Sequence, residues 1–425
     1  MEILSYSEKL NRRVGEPQAF SLIRSMGAKT FQQLGWPQKK LENWRYSPVS
    51  RLQQDFIPQI EPGTHSALDL ELIASQLSDH HFATIVVIDG KIQHWPAKLN
   101  GCVEVKTLRE ALEKGLIPSP DFSKVTDSIE ALNLSFFELG FYLNIQDQVV
   151  IEKPIHWLQL YSVPPVKSLM QSRLYIHAGA SSSAAVIESH VVLGMADVSW
   201  LNVTTQVKIE SNAHLDFVQW NEINETQQLT QRTELLLKDA AYLHHLQGAL
   251  SSGWHRNDVT VMAEGTNAEI YAHALGLSTK AGIIDQQSKL TFVGPNNKAE
   301  QVCKNLLVAQ SRAIFNGRIH IQPGAQKTDS SQLHQSLLLS ANAEVDTKPE
   351  LEIYADDVKA THGATIGQLN ADEVFYFQSR GISKERARGI LCMAFLLDLC
   401  ERIPNELLQR FLKQRIENYW RRESL

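Results

Sequence analysis

A repeated unit between residues 149 and 358 restricts the fold of this 425-residue chain more than any other feature. Each unit combines a short apolar strand pattern, a turn that ends in alanine, and a second strand pattern. The alanines recur at intervals of roughly thirty residues, within the range of solenoid repeats. The turns are His177–Ala180, Ser211–Ala213, Lys238–Ala241, Thr266–Ala268, Asn297–Ala299, Pro323–Ala325 and Asn342–Ala343.

Two folds can accommodate such a repeat. Rungs of two or three short strands with small residues at fixed corners can stack into one continuous core, as in a parallel β-helix. An antiparallel β-sandwich is the alternative, because the strand lengths also suit it. The nearly constant length of the rungs favours the β-helix.

Helical patterns precede the repeats. Residues 1–80 carry apolar side chains at helical spacing, and further helices are expected at Thr107–Lys114 and Ser128–Tyr142. Between them, Phe82–Trp95 has two strand patterns around an Asp-Gly turn, which predicts a hairpin. Trp44 and Tyr46 lie near the end of the first helical region, and packing into the local core is favoured over a docking surface.

Two helices are expected after the repeats. The first begins after Ser383 as N-cap and covers Lys384–Arg402, and the second runs from Asn405 to about Trp420. The first is apolar on more than one face, so it either buries itself against the last rung or presents a face to another subunit. The predicted architecture is mainly β with helical caps. It comprises an N-terminal helical domain with a small hairpin (1–148), a parallel β-helix core (149–380) and a C-terminal helical domain (381–425).

Composition and missing motifs exclude several classes of function. The net charge of −6 argues against a nucleic-acid partner. The four cysteines form no CxxC pair, so neither a zinc knuckle, a four-cysteine cluster site nor a disulfide scaffold is expected, which favours a reducing cytoplasm. No run is apolar enough for a signal peptide or a membrane span. A P-loop, a GxGxxG, a GxSxG and an HExxH motif are all absent, so no enzymatic turnover is expected.

The stretch Glu344–Ile382 concentrates the residues with chemical potential. A strand pattern at Leu351–Tyr354 comes first, and a second strand is expected at Val374–Phe377. Asp356 and Asp357 are adjacent and would diverge on an extended chain, so they make a poor acid–base pair and are read as turn carboxylates paired with Lys359. Between the strands lie Asp356, Asp357, Lys359, His362 and Gly363.

These residues carry a resemblance. EVDTKPELEIYADDVK, the HGAT of His362–Thr365 and FYFQSRGI resemble the C-terminal signature of the SufB/SufD family of SUF iron–sulfur assembly scaffolds, and LENWRYSP (Leu41–Pro48) is similar to its N-terminal element. In the SufB branch of this family, a cysteine lies on the strand before the histidine and a glutamate directly follows the histidine. Here Leu351–Tyr354 has no cysteine and Gly363 follows the histidine, which favours the SufD branch. Ala360 stands where some SufD chains carry a cysteine, so this loop offers no thiolate.

The resemblance implies a function and partners. It implies a right-handed β-helix that acts as a non-catalytic scaffold with a SufB-like sister subunit and a SufC-like ATPase, and with a sulfur donor only indirectly. No cofactor is expected on this chain alone, while a nascent iron–sulfur cluster or iron is expected in the complex. His362 is the candidate contact, since imidazole suits iron. The isolated chain could pair with itself. The predicted partner-binding residues are Leu351, Ile353, Tyr354, Arg380, Phe395 and Leu399.

Alternatives remain for single residues and for the whole chain. His362 could instead pin its loop through hydrogen bonds, and Cys303 is more readily a buried small hydrophobe than a sulfur-relay thiol. The other histidines on repeat strands are read as structural or surface residues. For the chain, a carbohydrate-active β-helix enzyme and a purely structural partner-binding protein are the competing functions.

Overall fold

Two long parallel sheets form the centre of the molecule. The computed structural model describes residues 3–12, 17–59, 81–137, 140–162, 166–193 and 198–423. The chain alternates between the sheets at every strand, which makes a β-solenoid of about eight turns. This confirms the parallel β-helix, with two strands per turn, and the β-sandwich alternative is wrong.

One sheet contains the odd-numbered strands of the coil. They are β5 (Gly140–Ile145), β7 (Ser168–Ala178), β9 (Ser199–Ile209), β11 (Gln227–Leu237), β13 (Trp254–Ala263), β15 (Ile283–Phe292), β17 (Arg312–Ile321) and β19 (Glu344–Ile353). The short β1 (Ile57–Pro58) pairs with β7, and β4 (Val103–Thr107) pairs antiparallel with β5 at one end.

The second sheet contains the even-numbered strands. They are β6 (Ile155–Ser162), β8 (Ser183–Leu193), β10 (His214–Ile223), β12 (Tyr242–Ser251), β14 (Glu269–Ser278), β16 (Lys298–Leu307), β18 (Asp329–Leu338) and β20 (Lys359–Gly367). The hairpin predicted at Phe82–Trp95 is confirmed as β2 (Ala83–Ile88) and β3 (Lys91–His94), and β2 pairs parallel with β6.

The corners explain the alanine repeat. Asn212, Ala240 and Asn267 have φ angles of 58°, 51° and 57°, in the left-handed region that asparagine tolerates better than most residues. The next residue in each case is an alanine that is 1% exposed, so a larger side chain would meet the packed corner. The backbone N–H of Asn212 donates to the carbonyl of Asp239, and that of Ala240 to Thr266. Each corner is therefore bonded to the next rung.

The N-terminal helices cover the outer face of the odd-numbered sheet. They are α1 (Ile3–Asn11), α2 (Gln18–Leu34), α3 (Leu108–Glu113) and α4 (Ser128–Ser135), whose buried side chains pack with Leu169, Trp200 and Trp254 of the sheet. The helix predicted at Ser128–Tyr142 is wrong beyond Ser135, because Gly140–Ile145 pairs with β7 as a strand. Of the helical region predicted at 1–80, residues 1–2, 13–16 and 60–80 lie outside the described part of the chain.

Three helices follow the coil: α5 (Ala371–Ser379), α6 (Lys384–Glu401) and α7 (Glu406–Arg422). α6 and α7 lie on the outer face of the even-numbered sheet, and α5 contacts α6. The side chain of Ser383 accepts from the N–H of Arg386, which confirms the predicted N-cap. The strand predicted at Val374–Phe377 is wrong, because these residues belong to α5. α6 packs on β14 and β16, so the helices lie along the side of the coil and not across its last rung.

The N-terminal element LENWRYSP fastens the helical region to the coil. Trp44 is 2% exposed, donates from Nε1 to Asp127 Oδ2 at 3.1 Å, and has the Arg256 guanidinium 3.8 Å from its ring centroid. Arg256 is itself bonded to Ser47 and to Asp285 of β15. The expectation that Trp44 packs into the local core is confirmed. The same expectation is wrong for Tyr46, whose side chain is 39% exposed.

We expect Trp44→Ala to lower the free energy of unfolding by roughly 3–5 kcal/mol, because it empties a packed site and uncovers a buried guanidinium. Urea denaturation at pH 7 measures this change. Tyr46→Ala, in the same motif, should change stability by no more than about 0.5 kcal/mol. Equal losses of stability in the two variants would contradict the role of Trp44 in holding the N-terminal element on the coil.

Several histidines are sealed inside the coil as neutral imidazoles. His245 and His255 project between the sheets and are 1% and 0% exposed, and burial lowers the pKa of each to about 3. His245 stacks on Phe217 and shares a 3.0 Å hydrogen bond with Gln219. Above the ordinary pKa of 6.5 these rings are neutral in both folded and unfolded chains. Below pH 6.5 these histidines become protonated in the unfolded chain but stay neutral in the folded chain.

Stability should therefore fall as the pH drops from about 6.5 towards 4, as linkage requires for lowered histidine pKa values. His245→Gln keeps a polar group beside Gln219 and removes one titrating site, so it should flatten that dependence by up to about 1.4 kcal/mol per pH unit. Urea denaturation between pH 7 and 4.5 gives the slope. The exposed His94 of β3 provides the control, and His94→Gln should leave the slope unchanged.

Candidate functional site

The solenoid ends in a pair of edge strands. Within the described residues, β19 is bonded to β17 on one side and β20 to β18 on one side, and each is the last strand of its sheet. An edge of this kind presents backbone donors and acceptors to which another strand can pair. Pro349 lies in β19 opposite Gly317, and proline in a sheet is largely confined to edge strands.

His362 lies at this edge. It is the fourth residue of β20, so the expectation that it belongs to a loop is wrong. Its register partner is Gln332 of β18, whose buried side chain donates to Gln301 Oε1 at 2.6 Å. Residues in direct register share a face, so His362 is on the side of its sheet that faces the other sheet, at the last rung.

The imidazole of His362 is free to meet another molecule. It is exposed, and within the described chain no hydrogen bond or ion pair is made to it. The alternative in which hydrogen bonds of this histidine pin its loop therefore finds no support. In the same part of the chain, no group of three or more His, Cys, Asp or Glu residues could hold a metal ion. Among the described residues, His362 therefore does not belong to a cluster that could hold a metal ion by itself.

The turn carboxylates before His362 do not complete a site. Asp356 and Asp357 are exposed in the bend between β19 and β20, and the backbone of Asp357 bonds to Gln326 and Lys327. Among the described ion pairs none joins either carboxylate to Lys359, so the pairing expected for them is not seen. What the structure shows is that the backbone of Asp357 takes part in the corner.

Large apolar side chains are exposed around the same end of the chain. Of the predicted partner-binding residues, Ile353 and Tyr354 are 40% and 61% exposed, whereas Leu351 is half-buried against the core. Arg380 is exposed after α5, with its guanidinium 5.2 Å from the ring centroid of Tyr376. Sequence reasoning missed three further exposed residues: Ile366, Phe375 and Tyr376.

An ionic ladder stiffens the outer side of the last rung. Arg312 of β17 donates from Nε to Asp346 of β19 at 2.8 Å, and Arg318 of β17 pairs with Glu350 of β19 at 2.9 Å. Glu42, from the N-terminal element, pairs with both Arg318 and Lys348. The terminal strand is therefore held in place from two directions.

The α6 residues divide between core and surface. Leu399 is 0% exposed and packs against the even-numbered sheet, so its assignment to partner binding is wrong. Phe395 is half-buried, with Lys304 Nζ 4.9 Å from its ring centroid. Ile390 is 38% exposed on the same helix. α6 thus buries one face against its own coil and retains an accessible one.

Three of the four cysteines, Cys303, Cys392 and Cys400, are buried in positions that favour structural roles. Cys303 is 0% exposed, its thiol donates to Gln286 Oε1 at 3.0 Å, and burial raises its pKa well above the ordinary range. Burial also raises the pKa of Cys392 to about 11 and of Cys400 to about 12. A nucleophilic thiolate is disfavoured at each position, in agreement with the buried-hydrophobe interpretation of Cys303.

In the described part of the chain, no helix is long and apolar enough to cross a membrane.

Comparison with known proteins identifies the family. The family model described as "SUF system FeS cluster assembly, SufBD core domain" matches residues 163–395, more than half of the chain. The "Iron-sulfur cluster assembly protein SufD" of Escherichia coli K12 is 28% identical over 90% of this chain and 89% of its own length. An "Iron-sulfur cluster assembly SufBD family protein" of Synechocystis is 27% identical over 92% and 89%, and "Protein ABCI7, chloroplastic" of Arabidopsis thaliana is 25% identical over 95% and 87%. The chain belongs to the SufBD family of the SUF iron–sulfur cluster assembly system, and it is SufD-like.

Proposed function

We propose that this chain is the SufD-like scaffold subunit of a SufB–SufC–SufD complex that builds nascent iron–sulfur clusters and passes them to apo-proteins. The observation that carries the proposal is an unpartnered imidazole, His362, at the open edge of the last rung. The SufBD family match supports the assignment to cluster assembly. The cluster is cargo that the complex makes and releases.

The edge strands would join this chain to a SufB-like sister subunit. β19 and β20 offer backbone groups for strand addition, and Ile353 and Ile366 offer apolar area beside them. The same edge could pair with a second copy when the chain is isolated.

His362 would then supply one nitrogen ligand to iron at the shared boundary, and the sister subunit would supply thiolates. Mixed histidine and cysteine ligation of iron–sulfur clusters is established chemistry. The low thiolate character of Cys303, Cys392 and Cys400 supports this division of labour, because those buried thiols are poor ligands.

The exposed face of the C-terminal helices would dock a SufC-like ATPase. Phe375 and Tyr376 of α5 are 69% and 56% exposed, with Ile390 of α6 also accessible. The chain lacks a P-loop, so ATP hydrolysis would belong to the partner, and the scaffold itself would be non-catalytic. We place the complex in the cytoplasm. A sulfur donor would act on it only indirectly.

His362→Ala should abolish cluster maturation in cells while the three subunits still co-purify, because it removes a ligand without altering a buried contact. The measurements are the activity of an iron–sulfur enzyme in a strain that depends on this system, and the absorbance of the anaerobic complex. His94→Ala changes an exposed histidine of β3 and should retain full maturation. Normal maturation by His362→Ala would leave a purely structural partner role as the better account.

Ile353→Asp combined with Ile366→Asp should weaken association with the sister subunit by at least about tenfold, because burying a charge in place of a large aliphatic side chain is unfavourable. Pull-down from co-expressing cells followed by titration of purified subunits gives the affinity. Val150, 69% exposed far from this edge, supplies the control Val150→Asp. Unchanged affinity in the double variant would place the sister subunit elsewhere.

A further inference from the structure

A cavity lies on the other side of the molecule from the helices of the C-terminus. It has a volume of about 590 Å³, between the outer face of the odd-numbered sheet and the segment that joins α3 to α4. Small-molecule pockets commonly have volumes of ~300–1,000 Å³. The residues that line it belong to the odd-numbered strands from β5 to β13 and to the segment 116–134. None of them belongs to β19 or β20. The cavity is therefore separate from the edge that carries His362.

The roof of the cavity is preorganised. Ile117 and Val125 are 4% and 8% exposed, so both ends of the roof segment are anchored in the N-terminal core. Pro118 and Pro120 lie between them, and proline fixes the backbone φ angle. Since the roof is tied down at both ends, little ordering would oppose entry of a ligand.

The walls are apolar and aromatic. Leu116, Pro118 and Val125 face the cavity from the roof, and Tyr142, Tyr175 and Met262 line it from the sheet. Such a lining favours an apolar or aromatic body, because hydrophobic and aromatic side chains predominate in sites for small organic ligands.

Arg173 supplies a cation without a counter-charge at bonding distance. It is 4% exposed, and it donates from Nε to Asn133 Oδ1 at 2.6 Å and from Nη1 to the Tyr175 hydroxyl at 3.3 Å. Its Nη2 is itself buried and has no hydrogen-bond partner among the described residues. Among the described ion pairs none includes Arg173. A buried guanidinium without a paired carboxylate is unfavourable, and an anionic group in the cavity beside it would offset that charge.

The other cations of the lining are already paired. Arg232 pairs with Glu130 at 3.3 Å and with Glu234 at 2.9 Å. Lys208 pairs with Glu210 at 2.5 Å, and Lys124 with Asp121 at 3.3 Å. The cavity thus has one cation to offer, and Glu130 and Glu234 would repel a ligand with several negative charges.

We propose that this cavity binds a small molecule that has an apolar or aromatic body and a single acidic group, with the acid on Arg173 and the body between the roof and the two tyrosines. Nucleotides and other polyanions do not fit this charge pattern. The proposal is independent of the scaffold function, because the cavity shares no residue with the edge strands.

Two fluorescent dyes test it on the full chain: the anionic 8-anilinonaphthalene-1-sulfonate and the neutral N-phenyl-1-naphthylamine. Both should bind the native protein saturably with one site. Thr260 is a half-buried cavity residue of β13, and Thr260→Trp should fill the space and weaken both dyes at least about tenfold. Lys289→Trp alters its exposed register partner on β15, outside the cavity, and should bind both dyes normally. If Thr260→Trp binds both dyes as tightly as the unaltered chain does, the dyes do not bind in this cavity and the proposal is refuted.

Arg173→Met should weaken the anionic dye at least about tenfold and leave the neutral dye unchanged, if near-ultraviolet circular dichroism shows a native fold. Equal weakening of both dyes would show that Arg173 only shapes the cavity. A competition experiment on the unaltered chain tests the same role of the charge without depending on the folding of a variant. Cyclohexanecarboxylate should displace the neutral dye at least about tenfold better than cyclohexanecarboxamide, and equal displacement would refute the role of the charge.

Discussion

The whole structure depends on the unbroken register of parallel backbone hydrogen bonds along the coil. In β10, β12 and β14 the residues Leu215, Leu243 and Ile270 stand directly above one another, and the next strands continue the column with Ala299. A slip of one residue would turn every inward side chain outward. Corners such as Asn212–Ala213, Ala240–Ala241 and Asn267–Ala268 oppose such a slip, because a left-handed residue followed by a buried alanine fits only one position of the turn. At these corners the position of the alanine in the sequence reflects the register of the strands.

Among the described residues, each inner strand of the coil is paired on both sides, and only the strands at the ends have an unpaired side. At the N-terminal end the hairpin β2–β3 and the antiparallel strand β4 complete the sheets. At the C-terminal end the helices lie alongside the coil, and the backbone of β19 and β20 stays open on one side. Open edges favour uncontrolled pairing, and a long parallel edge is retained at a cost unless a partner uses it. In the proposed function, the position of His362 on this edge would let one feature serve both iron ligation and assembly.

The fold could be predicted from the sequence because its main signal is repeated. Seven turns carried the same alanine corner, and the hairpin and the Ser383 cap have local signals of their own. The failures occurred where tertiary contacts decide between similar local patterns. Gly140–Ile145 continues the apolar run of a helix but pairs with β7, and Phe375 and Tyr376 alternate like a strand but lie on a helix. For α5 a signal existed: Asn370 caps it, and Asp372 and Glu373 occupy its first turn. Leu399 was wrongly assigned to partner binding, because the sequence of a helix that is apolar on two faces does not show which face is buried until its neighbours are known.

The N-terminal element connects two motifs that lie about 300 residues apart in the sequence. Through Trp44 and Ser47 it locks onto Arg256 and Asp285 in the middle of the odd-numbered sheet, and through Glu42 it reaches Arg318 and Lys348 on the last two rungs. The first contacts are buried and strong, whereas the ion pairs of Glu42 are exposed and individually weak. Their value is geometric: they hold the side of β19 at a fixed distance from a rigid anchor. In the proposed function such stiffness would matter, because the distances from ligands to a metal ion vary by only a few tenths of an ångström. The element would then influence the position of His362 through β19, without contacting His362 itself.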